Sequence, residues 1–284
     1  MQNAILSASA LEISSLQNTR VKNLVKLTKR RERDQQQLTT VEGVREIDHA
    51  LAAGVIPTAA YICLPLLNEE AAPIVVHLQQ LAKTTHLSLV TVTPAVFSKI
   101  AYRGDSGGLL VVVPYLRRRL EDLPLPSTPF LVVVEGVEKP GNLGAILRTA
   151  DAAGVDGVVI CAGATDIHNP NVIRASLGAL FTVPIAEASS AAVLQWLRAQ
   201  QIQILAATPV GATLYTTPDM TGPVAIVMGS EAQGLSPVWL TAADYLLKIP
   251  MQGVVDSLNL SAATAILLYE VIRQRQGFDP HPTR

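Results

Sequence analysis

Apolar and polar positions along the first half of the chain follow helical and strand-like spacings in turn. Helices are predicted over 14–31, 43–53, 68–82 and 94–100, and strands over 59–64, 87–92 and 108–113. Gly54 is placed where the second of these helices would end. Such an alternation of helices and strands predicts a small α/β domain.

The second half restarts this alternation with more strongly apolar strands. Strands are predicted over 130–137, 157–160, 202–208, 223–229 and 245–250, with helices over 142–153, 171–180, 190–200, 236–243 and 257–275. Apolar strands that alternate with helices predict a parallel sheet covered on both faces. Between the halves, residues 117–129 are first charged and then proline-rich, which predicts an extended linker.

Composition supports two folded domains and excludes several classes of protein. The 284 residues are 49% hydrophobic with a mean hydropathy of +0.32, which excludes disorder across the chain. No apolar run reaches the ~18 residues needed to span a bilayer. The first residues lack the basic and apolar regions of a signal peptide. Cys63 and Cys161 are too few for a disulfide framework or a zinc site. We therefore expect a cytoplasmic protein without a metal.

The net charge of −1 hides an asymmetry between the halves. Residues 1–126 hold 14 basic and 11 acidic residues, a net charge of +3, whereas residues 127–284 hold 8 and 12, a net charge of −4. Seven of the 22 basic residues fall between Arg20 and Arg33. Two interpretations of this cluster stay open: a solvated helix face, or a surface that binds the phosphates of an anionic polymer.

Three polar segments follow predicted strands of the second half, and each permits a structural interpretation as an ordinary turn. They read Lys139-Pro-Gly-Asn142-Leu-Gly144-Ala-Ile-Leu-Arg148, Gly229-Ser-Glu231-Ala-Gln-Gly234, and Ile249-Pro-Met251 followed by Ser257-Leu258-Asn259. We expect Asn142 to cap the helix that follows it. Open α/β sheets build their sites at the carboxyl ends of strands. Neither GxxxxGK[ST] nor GxGxxG occurs, which argues against a Walker loop and against dinucleotide binding.

In this order, the three segments resemble the motifs of the SpoU/TrmH RNA ribose methyltransferases of the SPOUT superfamily. The resemblance covers residues 130–275 and includes Asn169-Pro-Asn-Val-Ile-Arg174-Ala-Ser-Leu-Gly178. The first half resembles the substrate-binding domain of two-domain members through Ser15-Leu-Gln-Asn18 and Val41-Glu42-Gly43. The resemblance thus implies an RNA substrate-binding domain over 1–116, a linker over 117–129 and a methyltransferase domain over 130–278.

The resemblance also implies a fold, a cofactor and an assembly. The fold would be a SPOUT parallel sheet with a deep C-terminal trefoil knot, and the protein would be a homodimer through this domain. The cofactor would be S-adenosylmethionine, held mainly by backbone groups. Carried over by motif, its contacts would be Thr208, Gly229, Ile249, Met251 and Leu258.

The implied reaction is methyl transfer to a ribose 2′-hydroxyl of RNA, most simply ribosomal RNA of the 23S type. The residues implied in it are Arg148, Asn142, Glu231, Ser257 and Asn259. In this family, removal of the hydroxyl proton is attributed to the arginine that matches Arg148. Glu231 would hold this side chain in place. Because a guanidinium group keeps its proton at physiological pH, the alternative is that Arg148 orients the hydroxyl and neutralises a phosphate.

RNA contacts are expected from the basic cluster of the first half. The residues are Arg20, Lys22, Lys26, Lys29, Arg30 and Arg31. Three alternatives remain: a tRNA 2′-O-methyltransferase, an enzyme that methylates a base, and a non-catalytic RNA-binding or ribosome-assembly protein with the same fold. The motif residues are all present, which favours an enzyme, and the Ser257-Leu-Asn259 pattern favours ribose over base.

Overall fold

A computed structural model describes residues 11–102, 106–163 and 165–276. They divide into two compact units. The first contains the described residues up to Leu116 together with Ile167–Thr182, and the second contains Arg117–Asp166 and the described residues from Val183 onward. This division differs from the prediction in two places. Residues 117–129 belong to the second unit, and residues 167–182 belong to the first.

The first unit is built on a five-stranded mixed sheet. Its strands are β1 (Leu11–Ile13), β2 (Leu38–Glu42), β3 (Ala59–Ile62), β4 (Ser88–Val92) and β5 (Leu109–Pro114). The helices of the first half are α1 (Thr19–Lys26), α2 (Arg30–Gln36), α3 (Val44–Ala52), α4 (Ala72–Thr84) and α5 (Pro94–Ile100). The strand order is β1-β4-β3-β5-β2, and β5 runs antiparallel to both of its neighbours. The predicted α/β character is confirmed, although β1 and β2 were not predicted.

The basic segment forms two helices instead of the single helix predicted over 14–31. The chain turns between α1 and α2, and Arg33 of α2 is 1% exposed beneath this turn. Its guanidinium donates hydrogen bonds to the carbonyl oxygens of Leu27 at 2.8 Å and Thr28 at 2.9 Å. These carbonyls end α1, and a cation at a helix C-terminus satisfies them. Arg33 therefore explains the break and is not part of the basic surface.

The second half of the chain supplies a seven-stranded parallel sheet. Its strands are β6 (Phe130–Glu135), β7 (Gly157–Cys161), β8 (Ile185–Ala188), β9 (Gln203–Ala207), β10 (Thr213–Leu214), β11 (Val224–Met228) and β12 (Tyr245–Lys248). The helices are α6 (Pro140–Ala152), α7 (Pro170–Ala175), α8 (Ala179–Thr182), α9 (Ser190–Ala199), α10 (Pro237–Ala242) and α11 (Leu260–Gln276). Of these helices, α7 and α8 lie in the segment that belongs to the first unit.

All strand pairs of the second sheet are parallel, in the order β10-β12-β9-β11-β6-β7-β8. Helix α11 packs on α6, and α10 packs on α9. The predicted parallel sheet is confirmed, although β8 and β10 were missed. Over the part of the chain that the structure describes, no helix is long and apolar enough to cross a membrane.

Residues 117–129 pack into the second unit instead of forming an extended linker. Leu120 begins a short 3₁₀ turn, and both Leu120 and Leu123 are 6% exposed. The two side chains join the same apolar core as Leu131, Val133 and Trp239. The prediction missed this because the prolines and charges of the segment dominate its composition, whereas two leucines decide where it packs.

Candidate active site

The carboxyl ends of four neighbouring strands bring the sequence motifs to one edge of the second sheet. The neighbours are β12, β9, β11 and β6, and all are parallel. Thr208, Gly229 and Ile249 each follow the last residue of one of these strands. The Thr208 amide donates to the Leu247 carbonyl at 2.9 Å, so the register continues to the edge. This edge is where parallel α/β sheets bind ligands.

A closed turn after β11 presents Glu231. Ser230 and Gly234 exchange two backbone hydrogen bonds of 3.0 Å, and the Ser230 hydroxyl accepts a third from the Gln233 amide at 3.0 Å. Gly229 makes this closure possible, because a Cβ atom there would lie 2.3 Å from the Gly234 carbonyl carbon. Glu231 is thus held away from the sheet on a short, bonded turn.

The three motifs meet through their polar side chains. The Asn142 amide donates to Oε1 of Glu231 at 2.5 Å, and the Asn259 amide donates to the same oxygen at 3.2 Å. The Asn259 amide also lies 3.2 Å from Oδ1 of Asn142, which accepts from it. We call Asn142, Glu231 and Asn259 the amide–carboxylate cluster. Its members come from three segments that are far apart in the sequence.

Lys139 also contacts the amide–carboxylate cluster. It belongs to the first motif, but no role was predicted for it. Its Nζ lies 3.0 Å from Oε2 of Glu231, and its side chain is 72% exposed. The Lys139 ammonium holds the pKa of Glu231 below its ordinary value, against the opposing effect of burial and with help from the Asn142 amide. Both carboxylate oxygens of Glu231 are therefore engaged, Oε1 by two amides and Oε2 by a cation.

Two helix starts differ from the predicted ones and place the cluster. Helix α6 begins at Pro140 with Lys139 at the capping position, so Asn142 lies inside the first turn and is not the cap. Helix α11 begins at Leu260, three residues later than predicted. Oδ1 of Asn259 accepts from the Ser261 amide at 3.0 Å and from its hydroxyl at 2.6 Å. Asn259 therefore caps α11 and contacts Glu231 with the same side chain.

Arg148 and Ser257 lie outside the amide–carboxylate cluster. Arg148 is exposed on α6, and its six-residue separation from Asn142 places it about 9 Å along the axis and about 240° around it. The expected contact between Glu231 and Arg148 is absent from the described residues, and the cation that contacts the carboxylate is Lys139. The Ser257 hydroxyl donates only a long hydrogen bond, 3.4 Å, to the adjacent Asp256.

The residues predicted to bind the cofactor divide between the sheet edge and the loop after β12. Ile249 and Met251 are half-buried, and Leu258 is 38% exposed. Residues 252–259 are all exposed. An open pocket of about 230 Å³ lies beside the cluster and is lined by Val137, Glu138, Lys139, Glu231, Ala232 and Leu260. It shares Glu231 with the predicted catalytic set but none of the predicted cofactor residues.

A buried carboxylate ties the end of the Glu231 turn to the sheet. Glu135 ends β6, is 6% exposed and accepts hydrogen bonds from the Ser190 hydroxyl at 2.5 Å and the Trp239 indole at 3.0 Å. It also accepts from the Ser236 amide at 2.7 Å and the Ser236 hydroxyl at 2.9 Å. Sequence reasoning missed this residue. The pattern that could have indicated it is an acidic residue at the end of an otherwise apolar strand.

The six basic residues predicted to bind RNA are all exposed on the first unit. Arg20 donates to the Ser88 hydroxyl at 3.0 Å, and Arg30 lies 3.5 Å from Asp34. The others are Lys22, Lys26, Lys29 and Arg31. Within the described ranges, no group of three His, Cys, Asp or Glu side chains is arranged to hold a metal ion.

Comparison with known proteins assigns the chain to a family. Residues 129–269 match the SpoU rRNA Methylase family, and residues 18–111 match the MRM3-like substrate binding domain. The protein named "uncharacterized tRNA/rRNA methyltransferase slr1673" of Synechocystis sp. is 31% identical over 95% of this chain and 96% of its own length. The chain therefore belongs to the SpoU methylase family.

Two further relatives carry more specific names. The 23S rRNA (guanosine-2′-O-)-methyltransferase RlmB of Yersinia pestis is 42% identical over 56% of this chain and 67% of its own length. The crystal structure of an AdoMet-bound rRNA methyltransferase from Sinorhizobium meliloti is 31% identical, with a TM-score of 0.85. It covers 93% of this chain and 98% of its own. The similarity to this structure includes both units.

Proposed function

We propose that this protein transfers a methyl group from S-adenosylmethionine to a ribose 2′-hydroxyl of ribosomal RNA. The amide–carboxylate cluster carries the proposal, because residues from three separate motifs are bonded together at the sheet edge. The names of the RlmB relative and of the Sinorhizobium structure support the reaction and the cofactor.

The carboxyl edge fits S-adenosylmethionine. Thr208, Gly229 and Ile249 place backbone groups side by side at the ends of adjacent strands. Among the described residues, the backbone of residues 252–258 makes no internal hydrogen bond, which leaves its N–H and C=O groups open to a ligand. Met251 and Leu258 offer apolar contact to an adenine ring. When bound, S-adenosylmethionine supplies a methyl carbon attached to a positively charged sulfur.

The side chains of the protein would serve mainly to position the ribose. Glu231 is unsuited to remove the hydroxyl proton, since both its oxygens are already engaged. The proton therefore passes to solvent water as the bond from the methyl carbon to the 2′-oxygen forms and its bond to sulfur breaks. Glu231 fixes the side-chain amides of Asn142 and Asn259, and these hold the start of α6 and the start of α11 together beside the ribose. Arg148 orients the 2′-hydroxyl and neutralises the neighbouring phosphate, a bidentate task suited to a guanidinium. Ser257, on the loop between β12 and α11, adds a hydroxyl. Alignment of this kind supplies much of the rate of an in-line transfer.

The proposal extends to assembly and location. The second unit forms the homodimer and threads a trefoil knot, as the SpoU family membership suggests, and the protein acts in the cytoplasm. Exposed apolar side chains on the second unit support a partner surface there, among them Val254, Val255 and Tyr269. The first unit recruits RNA through its six exposed basic residues, and its match to a substrate binding domain supports that role.

Methyl transfer to RNA from cells that lack the gene tests the proposal. With labelled S-adenosylmethionine, the purified protein should modify ribosomal RNA, and the 3′ linkage of the modified nucleotide should resist alkali. Arg148→Ala should abolish transfer while binding of the cofactor persists. An alkali-sensitive product would refute ribose as the acceptor. Modification of transfer RNA alone would support the second candidate, a tRNA 2′-O-methyltransferase, which the name of the Synechocystis relative also covers.

A further inference from the structure

Two sequence motifs that the proposed reaction leaves without a role meet at one aromatic side chain of the first unit. Tyr102 is 64% exposed. Its backbone amide donates to Oε2 of Glu42 at 2.6 Å, and the guanidinium carbon of Arg174 lies 4.4 Å from its ring centroid. Glu42 comes from the Val41-Glu42-Gly43 motif and Arg174 from the segment after Asn169. Two motifs therefore contact Tyr102 at once, Glu42 at the backbone amide of the tyrosine and Arg174 at its ring.

Both partners of Tyr102 are themselves fixed. Glu42 is the last residue of β2, paired in the sheet with Leu110. Arg174 lies on α7 and donates to Oδ1 of Asn171 at 2.6 Å. Asn171 follows the capping residue of α7 by two positions, and the side chain of that capping residue accepts the Asn171 amide at 2.9 Å. Tyr102 is thus anchored through its backbone by a strand and through its ring by a capped helix.

We propose that Tyr102 and Arg174 form a stacking platform for an unpaired nucleobase of the RNA substrate. This inference rests on the proposed function and names the form of RNA that the first unit binds. A ring that remains 64% exposed contributes little to the core, so its anchoring serves another purpose. Unpaired bases stack on aromatic rings and on guanidinium planes, whereas the bases of an RNA helix are already stacked on one another.

The arrangement also suits the charge of RNA. Arg174 covers one face of the ring and uses one of its five N–H donors on Asn171, so others can reach a phosphate beside the stacked base. The exposed remainder of the ring is available to the base itself. Stacking of this kind tolerates any base, because every base has a π face. The platform therefore selects single-stranded RNA over duplex without reading its sequence.

Binding of a short single-stranded RNA that carries 2-aminopurine tests this platform. Tyr102→Ala should weaken binding of the single strand roughly tenfold and remove the fluorescence quenching caused by stacking. Tyr102→Phe should bind within about twofold of the original protein, because the ring remains. The same sequence in a duplex should bind Tyr102→Ala and the original protein equally. Arg174→Lys keeps the charge but not the planar group and should give an intermediate loss.

Further measurements separate the platform from the methyl-transfer proposal. His77→Ala removes another exposed ring of the first unit and should leave binding unchanged. Unchanged binding and quenching in Tyr102→Ala would overturn the platform, as would an equal loss of duplex and single strand. If the protein transfers no methyl group to RNA yet loses quenching with Tyr102→Ala, the platform stands and the proposed reaction falls. If it transfers the methyl group and Tyr102→Ala binds the single strand normally, the reaction stands and the platform falls.

Discussion

The two units use their polar side chains in opposite ways. In the second unit, Asn142, Glu231 and Asn259 bond to one another, and Lys139 closes the set. In the first unit, the basic residues of α1 and α2 face solvent, and Arg33 is the one of the seven that is buried. Bonded groups act through fixed geometry, whereas exposed charges act over a distance that salt shortens.

This difference assigns separate measurable roles to the units. Changes in the amide–carboxylate cluster should lower the rate of methyl transfer without changing RNA affinity. Changes on α1 and α2 should lower RNA affinity and its salt dependence without changing the rate at saturating RNA. The near-neutral charge of the whole chain conceals this division, because it averages a basic half and an acidic half. Substitutions in each unit can therefore test whether rate and affinity are separate properties.

Among changes to the amide–carboxylate cluster and to the basic surface, Asn259→Ala should have the largest effect. It removes the amide contact with Glu231 and the cap of α11 together. We expect a loss of about 10²-fold in the rate, as for other fixed polar groups at active sites. The lost cap should lower the free energy of unfolding by ~1 kcal/mol. Single-turnover methyl transfer at saturating RNA measures the rate, and thermal unfolding measures stability.

A double-mutant cycle extends this result. Asn142→Ala combined with Asn259→Ala should cost less than the sum of the single losses, because each amide depends on the same Glu231 oxygen. Ser261→Ala is the matched control, since it removes only the hydroxyl contact to the capping oxygen and should keep near-normal turnover. Additive losses, or an equal loss of RNA affinity in Asn259→Ala, would contradict the division between the units.

How far the sequence predicts this site depends on sheet register. The motif residues were placed at strand ends, and because parallel strands end at one edge, Thr208, Gly229 and Ile249 could be grouped in advance. The contact between Asn142 and Glu231 spans 89 positions and depends on the closed turn around Gly234. No local pattern encodes it. The contact between Lys139 and Glu231 was equally impossible to predict, since it depends on α6 beginning at Pro140, which leaves Lys139 at the capping position and Arg148 farther along the helix.

The fold shows the same limit. Long apolar strands such as β6 and β11 were predicted because their continuous runs leave little alternative. β2 was missed although its Thr-Thr-Val run is β-branched, because Leu38–Glu42 is only five residues long and becomes a strand by pairing with β5. The break between α1 and α2 was missed as well. It depends on a buried arginine, whereas the composition of that segment indicates only an exposed basic helix.

Neutralising the basic surface should have the next largest effect. Changing Lys26, Lys29, Arg30 and Arg31 to glutamine should weaken RNA binding at least tenfold at low salt and reduce the salt slope by about 3, at ~0.7 per single-strand phosphate contact. The rate at saturating RNA should stay normal. Changing the exposed Arg45, Lys83 and Lys99 of the same unit is the control and should have a smaller effect. Loss of affinity confined to changes in the second unit would contradict this assignment.

Lys139→Met should have the smallest effect at neutral pH and a larger one in acid. Lys139 lowers the pKa of Glu231, so the stability this pairing contributes is full above the ordinary glutamate pKa of about 4.3 and is lost as the pH falls through the lowered value. Without the ammonium, the pKa of Glu231 rises. Protonation of Glu231 would then disturb its contacts with the Asn142 and Asn259 amides at a higher pH. The acid limb of the pH–rate profile should therefore shift to higher pH. Lys139→Arg keeps the charge and should restore the original limb. Identical limbs for the methionine variant and the original protein would show that the ammonium does not hold Glu231 ionised for the reaction, and the amides alone would then account for the fixed geometry of the cluster.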